Sequence, residues 1–185
     1  MPNPRESDTL ERTEVPAELQ PQLRLYRRLY LARIDIDEAR ATLDELLSRR
    51  IPLPRSKPPS PLLMALTTAL VVCYARPFAN SRGQSEVADK AIPGALLRTY
   101  SSKEREFHET LLNIRNKEVA HSDADILDMA VQLYEDGDGA IFRNARTPFP
   151  RAALQALQRM LNKLEAAIDN RCEGLRTELP LRKWL

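Results

Sequence analysis

Three polar residues in the stretch LLNIRNKEVAHSDAD, residues 111–125, have side chains suited to proton transfer beside a phosphate. His121 has an imidazole whose pKa is ordinarily near neutral, so it can accept or donate a proton. Arg115 carries a permanent charge and planar N–H donors that suit phosphate oxygens. Asn116 follows it with an amide that can form hydrogen bonds. From the residues alone the stretch is either a polar helix end or a site for acid–base chemistry.

The helix that carries these residues is predicted to begin at Ser101, because Glu104 three positions later completes a capping box. Its apolar stripe is Phe107, Leu111 and Ile114. Six positions at about 100° each place His121 roughly 120° from Arg115 around a straight α-helix. The helix, predicted over about residues 101–120, must therefore end or bend near Ala120, or the two side chains must come together from two subunits.

The string LLNIRNKEVAHSD resembles the signature of the HEPN superfamily, which comprises helical bundles found in toxin–antitoxin, abortive-infection and CRISPR-associated proteins. The family pattern is an Arg, commonly followed by a polar residue, and then a His after four to six residues. Arg115, Asn116 and His121 match it. The stretch CYARPFANSRG also looks like one seen beside this motif in bacterial proteins.

The resemblance implies a metal-independent endoribonuclease, a toxin or anti-phage defence effector, with Arg115, Asn116 and His121 as the catalytic residues. It implies no cofactor and no metal. It also implies a homodimer in which two motif helices build one composite site, with RNA as substrate. A partner antitoxin or nucleotidyltransferase is a further expectation.

Two other interpretations of the motif stretch stay open. A HEPN-like bundle would bind a nucleotide, RNA or a partner protein without cleaving it. Alternatively, the string only closes a helix, with Arg115 paired to Glu118 or Glu104 and His121 favoured by the helix dipole. The run HSDADILD offers His121 and three Asp residues, but its spacing lacks a second His and is a poor match to a metal site.

Three further polar residues are weaker candidates for a functional site. His108 is expected at the bundle surface or along a cleft, since it lies seven residues before Arg115 and shares its stripe. Arg76 and Arg82 flank the loop after the second helix and are expected to be solvated, with phosphate contact as the alternative.

Composition favours a soluble, mainly all-α protein. The hydrophobic fraction is 43%, the charged fraction 29% and the aromatic fraction 5%, with 5 Gly and a net charge of +2. Cys73 and Cys172 are too far apart for a disulfide framework and indicate a reducing, cytoplasmic location. The longest apolar run, PLLMALTTALVVCYA, is expected to be too short to span a membrane.

The predicted organisation is a disordered segment, residues 1–15, and a single helical-bundle domain, residues 16–185. A long amphipathic helix runs from Pro16 to near Arg50, on a stripe of Leu19, Leu23, Tyr26, Tyr30, Ile34, Ile36, Ala39, Leu43 and Leu47. IPLPRSKPPSP follows as a stiff, Pro-rich connection.

A second helix begins after the Ser60 cap and continues to about Ala75, where Pro77 stops it. It is apolar on nearly every face and should be the most buried element, with Leu66, Leu70 and Cys73 inaccessible. A loop then leads to the motif helix. Residues 126–143 are expected to form a short hairpin rather than a helix, because Asp136-Gly137-Asp138-Gly139 is a turn signal.

The last helix is predicted over about residues 150–174, with an apolar repeat of Leu154, Leu157, Leu161, Leu164, Ile168, Cys172 and Leu175. Gly174 and Pro180 should mark its end. The resulting fold class is a four-helix bundle of HEPN type, with a long first connection and a small β insertion.

Overall fold

A computed structural model describes residues 15–49, 60–79, 87–119, 129–134, 137–142 and 147–179. The side chains of 117–119 and of both strands lie outside this description. Residues 1–14 of the predicted disordered segment and most of the Pro-rich connection also lie outside it, whereas Val15, the last residue of that segment, is described and buried. The described chain is mostly helical, as the sequence predicts.

The first helix, α1, spans Gln20–Ser48 after a short 3-10 turn at Ala17–Leu19. Its buried face includes Leu23, Ile36, Ala39 and Leu43 of the predicted stripe but departs from it in the middle of the helix. Tyr30 is 61% exposed and Ile34 is 47% exposed, whereas Arg28 and Leu29 are buried. Spacings of three and four residues after Leu25 and Tyr26 fit either set, so the sequence pattern does not choose between them. The face that enters the core is Leu29, Ala32, Ile36, Ala39, Leu43 and Leu46.

The second helix, α2, spans Pro61–Ala75 and confirms the predicted cap, since the Ser60 side chain accepts a hydrogen bond from the backbone N–H of Leu63. Leu70 and Tyr74 are fully buried, and Leu66 is only half-buried. Thr67 is buried with its hydroxyl donated to the carbonyl of Leu63. A 3-10 turn, Arg76–Phe78, continues the helix through Pro77.

The apolar segment at α2 is longer than the sequence suggests. With the 3-10 turn it forms one 18-residue stretch, Pro61–Phe78, of mean hydropathy 1.4, long and apolar enough to cross a membrane. By this test the expectation that the run is too short is wrong. The core helix of a soluble protein has the same length and composition, and 44% of the stretch is buried inside the protein.

The motif helix, α3, spans Ser102–Asn113 and begins at the predicted capping box. The Ser101 side chain accepts from the Glu104 backbone N–H, and a Glu104 carboxylate oxygen accepts from the Ser101 backbone N–H at 2.7 Å. A 3-10 turn, Gly94–Thr99, precedes α3. A π-helical segment, Ile114–Val119, follows it directly.

An antiparallel hairpin follows, with β1 at Met129–Tyr134 paired to β2 at Gly137–Phe142. This confirms the preferred hairpin. Gly137 and Gly139, which the sequence places in the turn, lie inside the ladder, where they pair with Tyr134 and Gln132.

The last helix, α4, spans Arg151–Glu178 and buries the predicted repeat, except that Cys172 is half-buried. It passes through Gly174 rather than ending there. It runs antiparallel to α1, since Arg33 in the middle of α1 pairs with Asp169, whereas Leu47 near the C-terminal end of α1 accepts through its carbonyl from Arg151, the first residue of α4. The core lies where α1, α2, α3 and α4 meet.

Candidate functional site

The motif residues Arg115 and Asn116 lie in the π-helical segment, where the α3 hydrogen-bond pattern changes. A π-helix bonds residue i to i+5 and is wider than an α-helix, and such segments are frequent at functional sites. The roughly 120° separation expected for a straight α-helix therefore does not describe this stretch. The segment also packs against α2, so the buried helix supports it from one side.

Arg115 and Asn116 contact each other through their side chains. Nη1 of Arg115 donates to Oδ1 of Asn116 at 2.9 Å, with Arg115 half-buried and Asn116 exposed. Because a guanidinium has five N–H donors, this bond fixes the Arg115 side chain while leaving most of its donors for another ligand.

Arg115 does not pair with Glu104 in the structure, contrary to one of the alternative interpretations. Glu104 accepts two hydrogen bonds from Nζ of Lys163, at 2.7 and 2.9 Å, besides its capping bond at Ser101. These bonds lower the pKa of the Glu104 carboxyl, the bond to Lys163 most. Glu104 thus joins α3 to α4, and the Glu118 side chain lies outside the described residues.

His121 lies outside the described residues, as do Arg82 and Asp123, Asp125 and Asp128 of the weak metal pattern. The structure brings together two of the three predicted site residues and leaves the third unplaced. Among the described residues there is no cluster of three His, Cys, Asp or Glu side chains that could hold a metal ion.

His108 is a buried core residue, so the expectation that it lies at the surface or along a cleft is wrong. It is 4% exposed and packs edge-on against the rings of Phe78, Tyr74 and Tyr100, with centroids 4.5, 5.8 and 6.3 Å away. Its Nδ1 lies 2.9 Å from the Tyr74 hydroxyl oxygen. The sequence feature that indicates burial of His108 is its position three residues before Leu111, which places both on the buried side of α3.

The hydroxyl of Tyr74 interacts with two neighbouring side chains. It lies within hydrogen-bond distance of Nδ1 of His108 and also hydrogen-bonds with Tyr100, so the donor in the Tyr74–His108 bond depends on the tautomer of His108. Burial favours the neutral ring, because it lowers the pKa of His108 against the smaller opposing effect of Glu109.

The two tyrosines beside His108 stay protonated. Burial is the main cause that raises the pKa of Tyr74 above its ordinary value and that of Tyr100 to about 12. The Tyr100 hydroxyl donates to the carbonyl of Met160 at 3.0 Å. This buried cluster of Tyr74, Phe78, Tyr100 and His108 therefore fixes α2, α3 and α4 together and offers no accessible acid or base.

A second polar cluster lies where α1 meets the end of α2. Arg76 in this cluster is exposed, as expected for a solvated arginine, and it also forms ion pairs. Arg76 pairs with Glu38 at 3.0 Å and with Asp35 at 3.4 Å. Nη2 of Arg28 donates to the Arg76 carbonyl at 2.7 Å. Cys73 lies 3.4 Å from a Glu38 oxygen.

The groups in this second cluster are poorly suited to catalysis. Burial first, and then the bond to Glu38, raise the pKa of the Cys73 thiol, which disfavours a nucleophilic thiolate. Burial also raises the pKa of Asp35, although Arg76 and Arg28 oppose it. The cluster therefore anchors α2 on α1. Both cysteines are free, as the sequence predicts.

No family model, no curated protein and no solved structure shows significant similarity to this chain. The candidate site accordingly depends on its own residues and geometry.

Proposed function

We propose that this protein is a metal-independent endoribonuclease of the HEPN type, acting as a toxin or defence effector in the cytoplasm. The observation that carries the proposal is the Arg115–Asn116 pair, held in a π-helical segment. In the HEPN-like string five residues separate Arg115 from His121. The mostly helical fold supports it, because a HEPN domain is a short helical bundle.

The proposed reaction uses the 2′-hydroxyl of RNA as the nucleophile that attacks the adjacent phosphate. His121 transfers the proton to or from the 2′-hydroxyl or the leaving oxygen. Arg115 stabilises the charge that develops on the phosphate oxygens. Asn116 is a positioning residue, since its Oδ1 accepts from Arg115 Nη1 and holds the guanidinium. This reaction needs no metal and no cofactor.

The proposed assembly is a homodimer in which two motif segments face each other and contribute two Arg115 and two His121 to one site. A two-fold interface presents the same patch twice, which makes such a composite site symmetric. An antitoxin or nucleotidyltransferase is the proposed partner that would restrain the activity.

The test is RNA cleavage by the purified protein in the presence of EDTA. His121→Ala should lower the rate by roughly 10²–10⁴-fold, the usual contribution of a general acid–base group. Arg115→Ala should lower it too, while Arg159→Ala, an exposed arginine on α4, serves as the matched control and should retain the rate. The products should end in a 2′,3′-cyclic phosphate, and RNA with 2′-O-methyl groups should resist cleavage.

Cleavage that requires a divalent metal, or that persists undiminished in His121→Ala, would show that the proposed chemistry is wrong. Retention of labelled RNA in a gel without cleavage would instead support the alternative, a HEPN-like module that binds RNA, a nucleotide or a partner protein.

A further inference from the structure

The outer face of α1 has a groove, lined by both apolar and charged side chains, that the described helices leave uncovered. Tyr30 and Ile34, 61% and 47% exposed, lie on its α1 side. Cys172, Glu173 and Arg176 of α4 form the opposite side. The cavity between them has a volume of about 410 Å³. Exposed large apolar side chains grouped in this way mark a surface that something else covers.

The C-terminal end of α4 lies beside this groove. Leu179 is buried in a small cluster with Val15 and Leu23, against which Tyr26 packs. Tyr26 also lines the groove, so the cluster adjoins the groove. The next six residues, 180–185, are PLRKWL, with three large apolar side chains, one of them the only Trp of the chain.

The length of this segment matches the groove. Along α1, Tyr30 lies about 10 Å from Leu23 and Ile34 about 16 Å, at a rise of 1.5 Å per residue. Trp184, five residues beyond Leu179, can extend by up to about 17 Å. It can therefore reach both exposed apolar residues.

The charges of the groove and the segment are also complementary. Of the three acidic side chains in the groove, Asp169 pairs with Arg33 and Glu173 with Arg176. Asp37 is the one left without an ion-pair partner among the described residues. The segment carries two cations, Arg182 and Lys183, directly before Trp184. By contrast, residues 1–14, which lead to the same cluster, are polar apart from Met1, Leu10 and two prolines.

We propose that residues 181–185 dock in cis into this groove, with Trp184 covering Tyr30 and Ile34 and the preceding cations beside Asp37. The docked segment joins α1 to α4 across their outer face and shields the half-buried thiol of Cys172. This contact is independent of the Arg115–Asn116 site.

The single Trp makes the contact measurable in the full chain. With selective excitation of Trp184, the emission of the folded wild type should be blue-shifted relative to that of the unfolded protein. In the double variant Tyr30→Ser/Ile34→Ser the emission should shift to the red relative to the wild type. These positions are exposed, so the fold should tolerate the change. Leu62→Ser, at an apolar residue of α2 that is 51% exposed and away from the groove, is the matched control and should leave the emission unchanged.

A second measurement uses the two free cysteines. Trp184→Ala should accelerate alkylation of Cys172 while leaving buried Cys73 at its wild-type rate. The proposal is overturned if Trp184 emits as in the unfolded chain, if the groove substitutions do not move its emission, or if Cys172 reacts equally fast in both proteins. It is also overturned if the blue shift disappears on dilution, which would place the segment in the groove of a second copy.

Discussion

At the scale of single residues, the two histidines of this chain have opposite situations. His108 is enclosed by three aromatic rings and shares a hydrogen bond with Tyr74, and burial lowers its pKa, so it is a neutral part of the core. His121 stands in the proposed motif. A search for catalytic histidines by residue type alone treats the two alike, and only packing distinguishes them.

The buried state of His108 predicts a pH dependence of stability. Its folded-state pKa is lowered, whereas in the unfolded chain it is about 6.5. Between these two values the unfolded chain binds more protons, so the free energy of unfolding should fall as the pH decreases. The contribution of this one proton is at most about 1.4 kcal/mol per pH unit.

Urea unfolding of the wild type and of His108→Gln, measured from about pH 7.5 to about pH 5, isolates this effect from the other titrating groups. As the pH decreases, the free energy of unfolding of the wild type should fall relative to that of His108→Gln. A difference that is constant over the range would mean that His108 is solvated. Nitrogen NMR of the wild type should also show a neutral His108 ring near neutral pH.

At the scale of the elements, α2 offers a matched pair of leucines. Leu70 is fully buried and Leu62 is 51% exposed on the same helix. Leu70→Ala should lower the free energy of unfolding by about 2–5 kcal/mol because it removes buried methyl groups and leaves a cavity. Leu62→Ala should change it by less than about 0.5 kcal/mol, the usual range for a surface site. Chemical denaturation of both variants makes the comparison, and equal losses would contradict the packing described.

The sequence predicts the elements well wherever a local rule determines them. The Ser60 and Ser101 caps depend on residues within one turn, so both helix starts were predicted correctly. Which face of α1 enters the core depends instead on α2 and α4, which are distant in the sequence. The spacing of Tyr26, Tyr30 and Ile34 fits a helix stripe, yet the core is formed through Leu29 and Ala32. Neither the burial of Arg28 nor the change to a π-helix at Ile114 has a local signal that predicts it.

At the scale of the whole molecule, the proposed function predicts a homodimer. Sedimentation or light scattering should detect a species near twice 21.1 kDa. Arg115→Glu should weaken this species, because it removes the hydrogen bond to Oδ1 of Asn116 and places a carboxylate beside that acceptor, which disturbs the segment proposed to form the interface. Arg159→Glu is the control for the charge change. A strict monomer at high concentration would remove the composite site.

The antiparallel pairing of α1 with α4 also has a consequence for synthesis of the chain. Arg33 and Asp169 are separated by 136 positions, and Arg40 and Glu165 by 125. At about 5–20 residues per second, a ribosome that has completed α1 needs on the order of 5–20 s to reach α4. During that interval the core face of α1 has α2 but not α4 to cover it. The nascent chain should therefore be a chaperone client until its last helix emerges.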